Sequence, residues 1–151
     1  MDLQDKVAFI TGGASGLGRA TAENFIKAGA KVMVFDLNAE TAEQAAAELG
    51  ANASFAAGDV ADEDAVRAAV QKTVETFGGL HINVNSAGIG AAARTLGREG
   101  PMPLKTFEFI VRVNLIGTFN VLRLCADAMQ HNAPVTDDGE RGVIINVASV
   151  A

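Results

Sequence analysis

The tightest constraint on this chain is a junction near its start. The apolar run Lys6–Thr11 (K-V-A-F-I-T) ends in the glycine-rich stretch T-G-G-A-S-G-L-G, Thr11 to Gly18, and a helical pattern begins directly after it. Ala22, Phe25, Ile26 and Gly29 recur at i, i+3, i+4 and i+7, which lines up one face of a helix. The theme then repeats. Lys31–Phe35 (K-V-M-V-F) is a second strand-like run, and Ala42, Ala45, Ala46 and Leu49 form a second stripe, with Gly50 placed as its C-cap. Ala53–Ala57 reads as a weaker third strand. Asp62 is placed to cap a helix whose stripe is Val66, Ala69, Val70, Thr73 and Phe77, stopped by Gly78-Gly79. Leu80–Val84 supplies a fourth strand, and a loop runs from about Gly88 to Lys105. A long helix from about Thr106 to Met129 carries Ile110, Val113, Gly117, Val121 and Leu124 on its apolar side. A polar loop over 131–141 leads to a fifth strand, Val143–Val147.

Strands that alternate with helices build right-handed βαβ units and a parallel sheet. The strands are continuous apolar runs, as a sheet covered on both faces requires. The expected fold class is therefore α/β, a doubly wound parallel sheet of the Rossmann type. No repeat or linker divides it, so 151 residues read as one domain.

Composition excludes several functions. A net charge of −6 and a pI near 4.8 argue against nucleic acid, whose phosphates call for clustered Lys and Arg. No uninterrupted apolar run reaches the roughly 18–20 residues of a bilayer span, so no membrane role is expected. The acidic start, Met1-Asp2-Leu3-Gln4-Asp5, lacks the basic region of a secretory signal. The lone Cys125 fits a reducing compartment, so the expected place is cytoplasmic. His81 and His131 pair with no Cys or carboxylate at ligand spacing, and no metal is expected.

Doubly wound sheets bind ligands beyond the carboxyl ends of their strands. After strand one, Gly12, Ser15, Gly16, Leu17 and Gly18 form either a flexible turn or a cradle in which backbone N–H groups at a helix start meet a pyrophosphate. The spacing is neither G-x-G-x-x-G nor a P-loop. After strand two, Asp36 lies eighteen positions past Gly18, close to the roughly 20 expected of an acid that holds the adenosine ribose. Its alternative role is a turn residue or helix cap. A carboxylate there repels a 2′-phosphate, and neither Ser15 nor Leu37 offers a compensating cation, so NAD is favoured over NADP. After strand three, Asp59 and Val60 offer an acceptor and an amide to an adenine edge, or form a solvated turn. After strand four, Asn85, Ala87 and Gly88 (N-S-A-G) allow close approach to a ribose or nicotinamide, or make a tight loop whose Asn holds the neighbouring strand. Asn114 falls on the apolar side of the long helix, where an unpaired amide would cost about 1–3 kcal/mol. It is either a buried bridge from helix to sheet or part of a kink that orders water in a proton path.

Together these segments resemble the short-chain dehydrogenase/reductase family: T-G-G-A-S-G-L-G for its cofactor loop, then Asp36, Asp59-Val60, N-S-A-G with Ser86 in place of a second Asn, Asn114 in V-N-L-I-G-T-F, and Ser149 after strand five. From N-L-I-G-T-F-N-V-L-R-L to the end, the chain is similar to the family's 3-hydroxyacyl-CoA dehydrogenases. The resemblance implies hydride transfer between NAD and a secondary alcohol or ketone, with acyl-CoA as a candidate substrate, in a dimer or tetramer. It assigns catalytic roles to Asn114 and Ser149, and a proton-transferring Tyr with a partner Lys in Y-x-x-x-K beyond strand five. This chain contains no tyrosine. The resemblance therefore implies the amino-terminal portion of a longer enzyme, a sheet incomplete on its carboxyl-terminal side, and poor catalysis by this span alone. The alternative is a non-catalytic NAD-binding module; a cradle for some other nucleotide is the third reading.

Overall fold

The computed structural model describes residues 1–90 and 93–148. Its elements follow the expected alternation: β1 (Val7–Thr11), α1 (Gly16–Lys27), β2 (Lys31–Asp36), α2 (Ala39–Leu49), β3 (Ala53–Ala57), α3 (Glu63–Phe77) and β4 (Ile82–Asn85). Two short strands, β5 (Leu96–Gly97) and β6 (Gly100–Pro101), form a small antiparallel hairpin inside the segment expected to be loop. Then come α4 (Leu104–Val111), a π-helical segment (Arg112–Gly117), α5 (Thr118–Met129) and β7 (Val143–Asn146).

The main sheet is parallel, in the order β3-β2-β1-β4-β7. The chain winds outward from β1 to β3, returns to β4 on the other side of β1, and continues to β7. This reversal leaves a crevice where the loops after β1 and β4 diverge. Alternate side chains of each strand enter two cores. Ala8, Ile10, Val32 and Val34 meet Ala22, Ala42 and Ala45 of α1 and α2 on one face. Phe9, Met33 and Phe35 meet Val66, Ala69 and Val70 of α3 and Val121, Leu124 and Cys125 of α5 on the other. Phe9 and Phe35 stack with centroids 5.3 Å apart. Period-2 strands covered on both sides give the uninterrupted apolar runs of the sequence.

The helix ends follow local chemistry. The side chains of Asn38 and Asp62 accept from the amides of Thr41 and Ala65, capping α2 and α3. Gly78 closes α3 in the left-handed conformation, φ 86°.

The long helix requires two corrections. It is interrupted by the π segment, within which the α-helical period does not hold. Asn114 therefore does not lie on the buried face; it is exposed. By length and composition, the 26 residues Leu104–Met129 also satisfy the requirement for a bilayer span, contrary to the reading of the sequence. Val121, Leu124, Cys125 and Met129 are nevertheless buried against the sheet. The remaining side presents Leu115, Ile116 and Phe119, at 65%, 52% and 61% exposure.

Candidate functional site

A cleft of about 430 Å³ opens at the carboxyl ends of the strands. Four loops line it: Gly12 and Ser15–Leu17 after β1, Asp36 and Leu37 after β2, Gly58–Val60 after β3, and Ser86–Ile89 after β4. Phe35 of β2, Phe109 and Val113 of the long helix, and Val147 beyond β7 complete the lining.

The first and fourth loops are fastened together at their roots. The buried Thr11 hydroxyl accepts from the amides of Ser86 and Ala87 at 3.1 and 3.0 Å. Gly12 has φ 62°, and a Cβ there would lie 3.0 Å from the Ala87 backbone. A side chain would therefore be strained and would also crowd the neighbouring loop. Gly18 is buried, and a Cβ on it would come within 2.2 Å of the Gly12 carbonyl oxygen. It does not line the cleft; it lets α1 start against the first loop. Ser15 caps α1 in an extended conformation, with its exposed hydroxyl making no cap hydrogen bond.

The tips of β2 and β3 each place a carboxylate at the cleft. Asp36 Oδ2 accepts from the Ala14 amide at 3.2 Å and Oδ1 from its neighbour Leu37 at 2.8 Å, which turns the side chain toward the glycine loop. Asp59 Oδ1 accepts from the Ala61 amide, and Oδ2 from the Arg112 guanidinium, each at 2.8 Å. The Ala61 hydrogen bond and the Arg112 charge hold the Asp59 carboxyl below its ordinary range, against the opposing effect of partial burial.

Asn85 does not reach the cleft. It is buried at the end of β4, donating to Asn83 Oδ1 at 2.9 Å and to Asn146 Oδ1 of β7 at 2.8 Å. Of the two roles open to it, the structure displays the strand-holding one. Asn114 also lies outside the lining but grips it. Its Nδ2 donates to the Ile89 carbonyl at 2.8 Å, and its Oδ1 accepts from the Ile89 amide at 2.9 Å. The bridge runs from helix to loop, not from helix to sheet. The Asn114 carbonyl accepts from Thr118 Oγ1 at 2.8 Å, where the π segment passes into α5. Ser149 lies outside the described residues. Among the described residues no cluster of His, Cys, Asp and Glu forms a metal site.

Sequence reading missed Phe35, Gly58, Ser86, Ile89, Phe109, Val113 and Val147 as lining residues. The helix period that placed Val113 in the core also marked it as facing the sheet, so it was the one of these with a usable signal.

A glycine turn that joins β1 to α1, carboxylates at the tips of β2 and β3, and a cleft where the winding reverses define a Rossmann-type protein. The comparisons are more specific. The family model for short chain dehydrogenases matches residues 6–151, and the chain belongs to that family. The 3-hydroxyacyl-CoA dehydrogenase type-2 of Bos taurus is 48% identical over 147 residues, covering 96% of this chain and 56% of that protein. Its namesake in Drosophila melanogaster is 44% identical over 151 residues, covering 99% of this chain and 59% of the relative. The crystal structure of 3-hydroxyacyl-CoA dehydrogenase type-2 from Mycobacterium avium matches with a TM-score of 0.90 at 35% identity, covering 99% of this chain and 59% of that one. The chain thus spans between half and two thirds of the length of these relatives.

Fold and family imply a nicotinamide cofactor. The cleft suits one: glycine where a Cβ would close the cradle, amides at a helix start for a diphosphate, and acceptors at two strand tips.

Proposed function

We propose that this chain is the cofactor-holding part of an NAD-dependent dehydrogenase that acts on a secondary alcohol or ketone, with 3-hydroxyacyl-CoA as the substrate class. The observation that carries the choice of NAD is Asp36. Its carboxylate is tied to the glycine loop, at the position where a dinucleotide's adenosine ribose would lie. The cation in the first turn of α1 is already engaged. Arg19 pairs with Glu23 at 3.0 Å and Glu48 at 3.2 Å, and donates to the Ala45 carbonyl at 2.7 Å. A 2′-phosphate would meet negative charge without compensation.

In this reading Gly12, Ser15, Gly16 and Leu17 hold the diphosphate, with Gly18 keeping α1 close. Asp36 and Leu37 hold the ribose, Asp59 and Val60 the adenine, and Ala87 and Gly88 the nicotinamide half. The bound nicotinamide would exchange a hydride with the alcohol carbon. Asn114 fixes the loop at Ile89, and Ser149 would hydrogen-bond the reacting oxygen. Because the chain has no tyrosine, no phenol in it can carry the proton. The same fact supports a second reading, a binding module without turnover, and we propose that residues 1–151 alone do not turn over substrate. Association with further copies, through the exposed Leu115, Ile116 and Phe119 side of the long helix, belongs to the same proposal.

Calorimetric titration tests the assignment. NADH is expected to bind at least about tenfold more tightly than NADPH, a difference of about 1.4 kcal/mol. Asp36→Ala should narrow or invert that ratio. Equal or tighter binding of NADPH by the parent chain refutes the role given to Asp36.

A further inference from the structure

We propose that Arg112, Gly117 and Asn120 are positioning residues for the adenine end of the cofactor, and that the π segment exists to bring them onto one wall. The inference rests on the reading of Asp59–Val60 as the adenine wall.

Three contacts reach that wall from one helix. Arg112 donates to Asp59 Oδ2 at 2.8 Å. Gly117 lies flush on Val60: a Cβ added there would stand 2.5 Å from Val60 Cγ2. Asn120 Nδ2 donates to the Val60 carbonyl at 2.9 Å. The peptide joining Val60 to Ala61 is thereby held at both ends, because its N–H donates to Asp59 Oδ1 at 2.8 Å. Asn120 is only 6% exposed, and its own Oδ1 accepts from Arg123, which also pairs with Glu63 of α3 at 3.0 Å. Both carboxylate oxygens of Asp59 and the backbone beside it are therefore fixed before any ligand arrives.

The helix geometry explains why this takes a π segment. In an α-helix, five residues turn through 500°, leaving Arg112 and Gly117 about 140° apart around the axis. The i→i+5 hydrogen bonding of a π segment stacks residues five apart nearly above one another. Arg112 and Gly117 are the first and last residues of the segment, and both face the loop after β3. Between them Asn114 turns to the loop after β4 and grips Ile89. One short irregular stretch thus braces both outer walls of the cleft.

The test is calorimetric titration of the whole chain with AMP, using variants at the exposed Arg112. Arg112→Met is expected to weaken AMP about threefold to tenfold, the range for loss of one indirect polar contact. Arg112→Lys, which keeps the charge, should bind within about twofold of the parent. Unchanged binding by Arg112→Met overturns the inference, as does an equal loss in both variants. If the parent chain fails to bind AMP but binds NADH, the adenine assignment beneath the inference fails with it. If it binds neither, the functional proposal falls as well.

Discussion

The closest approach in the cradle is between Gly18 and Gly12, and replacing Gly18 by alanine measures how much of the site depends on it. A Cβ at position 18 would sit 2.2 Å from the Gly12 carbonyl oxygen, 2.8 Å from its carbonyl carbon and 3.1 Å from Gly13 Cα. All three are backbone atoms, so no side chain can swing aside. Since an unforced carbon–oxygen contact is about 3.3 Å, relief requires α1 to back away from the β1 loop by about 1 Å. Overpacking of this kind costs roughly 1–3 kcal/mol. For a chain of this size 2 kcal/mol lowers the melting temperature by about 4–8 °C. The displaced atoms are also the helix-start amides that would meet the diphosphate, so NADH affinity should fall with stability. The chain lacks Trp and Tyr, so melting is best followed by far-ultraviolet circular dichroism. Gly16→Ala is the control. It has φ 53° and nothing within 4 Å of the added Cβ, so it carries only conformational strain of about 1 kcal/mol. A Gly18→Ala chain that melts within about 1 °C of the parent, or no lower than Gly16→Ala, would refute the packing argument.

Two further outcomes follow from titratable groups away from the cleft. His81 Nδ1 accepts from the Val7 amide at 3.2 Å, and burial, with Lys6 nearby, pushes its pKa below the ordinary 6.5. The unfolded chain takes up this proton before the folded one does, so stability falls as the pH drops below 6.5 toward the folded value; His81→Gln should flatten melting temperature between pH 7 and pH 5. Burial pushes the Cys125 thiol well above its ordinary value, so it should resist a thiol reagent at pH 8 in the folded chain and react fully in denaturant.

The sequence disclosed the sheet because its inner strands β1, β2 and β4 are buried on both sides and so read as apolar runs. Its limits lie where burial pattern and structure part company. The β5–β6 hairpin has strands of two residues, with Leu96 at 74% exposure, so it leaves no periodic trace. Asn83 and Asn85 look like polar faults in a strand. In the fold they form an amide chain in which Asn83 also donates to the Phe9 carbonyl and Asn85 reaches β7. Their partners come from strands distant in sequence, which no local pattern can foretell.

The long helix shows the same limit more sharply. An α-helical wheel applied from Ile110 to Leu124 carries one phase throughout, and it placed Asn114 among apolar residues. A π segment holds more residues per turn than that wheel assumes, so positions inside it depart from their projected places. The π segment therefore turns Asn114 outward to Ile89 while Val121 and Leu124 still meet the core beyond it. Asn120, which no motif singled out, becomes the buried amide under Val60. A polar residue on the apolar side of a projected helix, with a close-packed glycine three positions on, thus marks a place to question the period before questioning the residue. In this chain the break in period and the grip on the cleft are one feature. Straightening the segment into regular α-helix would withdraw Arg112 or Gly117 from the wall after β3.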